Sequence, residues 1–200
     1  MKRYFPVVLV VVFLVACHFQ AQARTSQGYV YTPKQAEKII GKRAEGVITA
    51  LRDRQMNRLS QYVDSRRGLR FSPYAHATKN DRRFSKSRVR RLGRSHYRYR
   101  WGSYDGSGEP IRLAWRDYFL KFVYSRDFAR LEQVRYNRIK QRGNTLNNLH
   151  KFYPGSIVVE YYSPDLQDTA GLDWKSLYLV FQPRGKTWYL VGIAHDQWTI

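Results

Sequence analysis

The sequence predicts an α+β domain in which N-terminal helices pack on a curved antiparallel sheet. Three observations predict it. Apolar residues recur at helical spacing early in the chain, while β-rich runs gather towards its end. The late runs follow one another through short loops, which favours antiparallel pairing. A hairpin signal closes the series: residues 174–182 and 187–200 are β-rich and flank a turn containing Pro183 and Gly185. Two hundred residues suit one domain. A composition 43% hydrophobic and 16% aromatic belongs to a folded chain rather than a disordered one. The formal charge of +21 favours contact with polyanions without choosing among them.

Residues 1–23 read as an export signal. Lys2 and Arg3 form the positive start, and residues 5–16 an apolar core too short for a comfortable membrane span. Two processing sites compete. Ala21-Gln22-Ala23 is an A-x-A site; Leu14-Val15-Ala16-Cys17 is a lipobox, in which Cys17 would carry the lipid and anchor the protein to a membrane. Cys17 is the single cysteine, so no disulfide forms within the chain. The expected location is the bacterial envelope or periplasm.

Residues 24–31 are expected to be a tether and residues 32–200 the domain. Thr32 reads as a helix cap with Pro33 at the first helical position. Ala36, Ile39, Ile40, Ala44, Val47, Ile48, Leu51 and Met56 then recur at helical spacing, with Gly41 and Gly46 suggesting a kink or two short helices. A second short helix is expected over 57–63. Residues 69–78 read as an edge strand, since Pro73 has no N–H for a central ladder. Residues 79–100 read as a basic loop holding Arg82, Arg83, Arg88, Arg90, Arg91 and Arg94 against the single acid Asp81. A glycine-rich loop spans 101–110, a helix is expected over 111–124, and strands over 131–139 and 157–162.

The segment 47–63, VITALRDRQMNRLSQYV, resembles the first helix pair of the NTF2-like (cystatin-like) class, a cone in which a long helix packs in a bent antiparallel sheet. The blocks RFSPY at 70–74, WGSYDGSGEP at 101–110, Gly143-Asn144 with Asn147-Asn148, and HDQWTI at 195–200 resemble a family of uncharacterised bacterial envelope proteins, many of them lipoproteins. That resemblance covers roughly residues 44–200. It implies a fold and a location, not an activity.

Most catalytic signatures are missing. The sequence has no Ser-x-x-Lys, no G-x-S-x-G elbow and no H-E-x-x-H zinc site, and its histidines lack ligand spacing. No cofactor or metal is expected. Three clusters remain. His195 and Asp196 are adjacent near the end of a strand, where neighbouring side chains point to opposite faces. Asp105 and Glu109, with Trp101 and Tyr104 to stack on a sugar or peptide, are candidates to hold a polar ligand at the cone mouth together with His195. The arginine run is the candidate contact with anionic lipid, lipopolysaccharide or wall glycan; nucleic acid is disfavoured for an exported protein. The expected function is a non-catalytic envelope protein binding a ligand or partner at the cone mouth, with dimerisation through the sheet face permitted. The alternative is a small hydrolase or isomerase using His195 or Asp105 as general base.

Overall fold

The computed structural model describes residues 30–131, 133–144, 146–165 and 170–199. The segment expected as an export signal, Cys17, most of the expected tether and Ile200 lie outside the described residues. Helix α1 (Pro33–Arg52) starts as the sequence predicts: Thr32 Oγ1 accepts from the Gln35 backbone N–H, and Gln35 Oε1 accepts in return from the Thr32 N–H. It runs 20 residues without a break at Gly41 or Gly46. Gly46 has a packing reason instead, because a Cβ there would lie 2.1 Å from the Tyr62 hydroxyl of α2 (Met56–Tyr62). Tyr31 is already tied down, with its ring edge-on to Trp188 and its carbonyl accepting from Asn137 Nδ2.

Six strands form the main sheet: β1 (Leu69–Ser72), β2 (Arg82–Phe84), β5 (Val134–Tyr136), β6 (Ile157–Ser163), β7 (Lys175–Arg184) and β8 (Thr187–Gln197), in the order β2-β1-β8-β7-β6-β5. The late strands are antiparallel, as expected. β1 is not an edge strand: it lies between β2 and β8, parallel to β8, and Pro73 falls just beyond it. In β8, Val191 is an extra residue where the register shifts between Val180↔Gly192 and Phe181↔Leu190. Such a bulge bends a strand and sharpens its twist. A helix against a curved, mostly antiparallel sheet is the architecture predicted.

The basic segment is not a loop. It contains β2 and α3 (Lys86–Leu92), which buries Val89 and Leu92 and whose N-cap Ser85 accepts from the Arg88 N–H. The stretch expected as one helix is β4 (Pro110–Leu113), paired with β3 (Tyr99–Ser103), followed by α4 (Trp115–Phe122). A short helix α5 (Leu149–Phe152) completes the set.

Strand alternation divides the core. Ile157, Val159, Tyr161, Leu177, Leu179, Phe181 and Ile193 face α1 and the aromatic layer of α4. Val158, Tyr178, Val180, Val191 and Ala194 face outward, covered by Leu149, Tyr153 and Ala77.

Candidate anion-binding site

The residues expected to line a ligand site lie at different depths. Trp101 is fully buried, stacked on Tyr118 at 3.8 Å, and its Nε1 donates to the Leu113 carbonyl. Its ring has no face free for a ligand. Tyr104 is half-buried beside Lys121 and Phe122. Asp105 is exposed and accepts from the Thr199 hydroxyl at 2.6 Å, and Glu109 is exposed on the same turn. His195 lies inside, edge-on to Phe122, with Nε2 against Gln197 Oε1. Tyr104, Phe122 and His195 therefore form a contiguous series, with Asp105 at its rim.

Asp196 points to the other face, 2% exposed. There Glu160, 1% exposed, is the centre of a polar cluster. Its Oε1 accepts from Arg142 at 2.5 Å, Ser176 at 2.8 Å and Tyr178 at 3.2 Å, and its Oε2 from Arg135 at 3.3 Å. Burial pushes the Asp196 carboxyl up to about 8, reinforced by the Glu160 charge. Burial holds the His195 imidazole down to about 4.

These two neighbours set opposing pH dependences. The folded state keeps a proton on Asp196 that the unfolded chain releases above about 3.8, so this contribution is lost as pH rises towards about 8. The folded state refuses a proton on His195 that the unfolded chain takes below about 6.5, so stability also falls as pH drops from there towards about 4. Where the windows overlap the slopes oppose. Asp196→Asn should leave only the histidine slope, about 1.4 kcal/mol per pH unit at most. Urea unfolding from pH 4 to pH 8 checks this: the variant should gain on the wild type as pH rises, and parallel curves would refute the assignment.

The strongest concentration of charge lies elsewhere, between α2 and α3. Arg54, Arg58, Arg90, Arg91 and Arg94 line one groove of about 600 Å³ with Gln55, Met56, Asn57 and Gly93, and no acid lines it. Among the described residues, Arg58, Arg90, Arg91 and Arg94 make no ion pair. The groove is built by two local devices. At its floor α3 ends against α2, where a Cβ on Gly93 would lie 3.1 Å from Met56 Cγ. At its upper edge α1 closes with a Schellman turn: the Gln55 N–H donates to the Ala50 carbonyl and the Arg54 N–H to that of Leu51. Arg54 occupies the left-handed position of that turn, φ +53°, which glycine would fill without strain. An arginine held in such a conformation at the lip of a cationic groove is the kind of local strain that gathers at ligand sites.

The sequence-predicted arginines divide around this groove. Arg90, Arg91 and Arg94 line it. Arg88 is exposed on the same helix, Arg83 is exposed on β2, and Arg82 stands over Phe84 and Tyr99. Arg54 comes from the α1–α2 turn and Arg58 from α2, both outside the basic run. A hydroxyl-rich groove of about 610 Å³, lined by Ser60, Ser65, Ser85 and Ser87, adjoins through Asn57 and Arg90.

No family model matches the chain, and no curated protein matches it. Among solved structures the chain is similar to a putative calcium/calmodulin dependent protein kinase II association domain from Xanthomonas campestris. The likeness has 12% identity and a TM-score of 0.35, covering 79% of this chain and 84% of that one. At that level no residue role passes from one protein to the other.

Proposed function

We propose that this is an exported, non-catalytic protein of the bacterial envelope that holds an anionic envelope component in the arginine groove. The observation that carries the reading is the convergence of five arginines from two separated segments on one groove without an acid. A groove of this volume lies within the size range of small-ligand sites, about 300–1,000 Å³. Guanidinium groups suit phosphate and carboxylate because their donors form a planar fork. The export signal expected at 1–23, with either Cys17 lipidation or cleavage after Ala23, supports the reading, because such polymers are met in the envelope. The contact expected at Tyr104, Asp105, Glu109 and His195 becomes secondary in this reading. So does a general base at His195 or Asp105, since His195 is fully buried and Asp105 is held by Thr199.

Co-sedimentation with cell-wall sacculi and with anionic vesicles across a salt series tests the proposal. Replacing both Arg90 and Arg91 by Gln should weaken binding by about 2 kcal/mol, roughly thirtyfold, at about 1 kcal/mol per cation near an anionic surface. Binding by the wild type should fall as salt rises. Replacing exposed Arg130, which already pairs with Asp127, should change little. Equal loss in both variants would mean that net charge, not the groove, does the binding.

A further inference from the structure

The arginine groove does not end at its arginines. A second groove of about 430 Å³ shares Arg54, Met56 and Gly93 with it, and continues over Ala114, Trp115, Phe119 and Leu120, with Ser95, His96, Arg116 and Asp117 around it. Its apolar wall comes from the first turns of α4. Trp115 and Phe119 are packed into the core, but Leu120 is 44% exposed, although it sits beside groups that could bury it. Arg54 stands at the junction, its guanidinium 5.8 Å from the Phe119 ring centroid. Thus one cation-lined compartment and one compartment with an apolar wall and a polar rim meet at a single arginine held in a left-handed conformation.

We infer that the groove pair binds an anionic membrane phospholipid, with its phosphate among Arg54, Arg58, Arg90, Arg91 and Arg94 and the start of an acyl chain along Met56, Trp115, Phe119 and Leu120. This rests on the proposed anion site and specifies its ligand. A bare anion uses the first compartment and leaves Leu120 in water. A polyanion without apolar parts does the same. An amphiphile uses both compartments, and the order of charge and apolar surface matches the order of phosphate and chain in a lipid. Arg54 serves both parts, because a guanidinium can donate to phosphate at its edge while its flat face lies over an aromatic ring.

The test compares lysophosphatidic acid, held below its micelle concentration, with glycerol 3-phosphate, using the full-length protein and isothermal titration. The lipid should bind at least about tenfold more tightly, since each buried methylene adds to affinity. Leu120→Asp should abolish that difference. Leu146→Asp, at an exposed leucine outside the groove lining, should preserve the difference. Arg54→Gln should weaken both ligands. Equal affinities for the two ligands overturn the inference and leave the anion site standing. A chain-dependent gain that survives Leu120→Asp, or is lost equally in Leu146→Asp, overturns it as well. Absence of binding by both ligands removes the inference and the anion site together.

Discussion

Glu160→Gln should lower the unfolding free energy by about 3–5 kcal/mol, the usual consequence of removing one partner from a buried ion pair. Glu160 accepts from four side chains, and two of them, Arg142 and Arg135, carry charge. Arg142 is only 11% exposed, stacked over the Tyr162 ring at 3.9 Å. Without the carboxylate its cation is left in a low-dielectric site with one Nη already lacking a partner. The loss should also loosen residues 137–144 around Arg142, so amide exchange there should accelerate before the sheet itself opens. Urea titration of the variant checks the magnitude. A change below about 1 kcal/mol would show that Arg142 re-solvates freely and that the cluster is peripheral.

The second large effect is expected at Gly68. Its φ is +71°, and a Cβ there would lie 2.4 Å from the Phe84 carbonyl oxygen and 3.2 Å from its carbon. Both strains are backbone against backbone, so no side chain can turn away to relieve them. Left-handed strain and overpacking each cost about 1–3 kcal/mol, and Gly68→Ala should lose about 3 kcal/mol or more. Gly185 is the control, since its φ is +59° but nothing lies within 4 Å of its Cβ position. Gly185→Ala should lose only about 1 kcal/mol. Because Ser85 follows Phe84 and caps α3, Gly68→Ala should also displace the helix carrying Arg90 and Arg91. Anion binding should then fall together with stability, whereas Gly185→Ala should leave binding intact.

The sequence made some of this legible and hid the rest for physical reasons. The capping box at Thr32 and the closing hairpin are local signals, and both stand where they were expected. The place of β1 was hidden because its partner β8 lies far along the chain, and parallel pairing leaves no local turn signature. Leu113, Trp115, Phe119 and Phe122 have helical spacing, but the first of them ends a strand; Ala114, which lacks a capping side chain, gives no sign of the boundary. Trp101 opens a loop rich in glycine and acid, which suggests a ring available for stacking on a ligand, whereas β3 carries it into the core. The Glu160 cluster has one signal in the sequence, a lone acid inside the apolar run 157–162. Half the arginine groove was visible as a basic run. Arg54 and Arg58 join it only through the packing of α2 on α3, which no spacing within either segment encodes.

The position of β8 between β7 and β1 has a kinetic consequence. β1 and its parallel partner, residues 192–194, are more than a hundred residues apart in the chain. α1 reaches β5 and β6 directly, but the β1–β2 pair has no strand to join on the β5–β7 ladder until β8 is in place. Closure must then bridge more than a hundred residues at once, and such long-range pairing folds slowly. Until β8 docks, the sheet is therefore two separate pieces, each with an open edge.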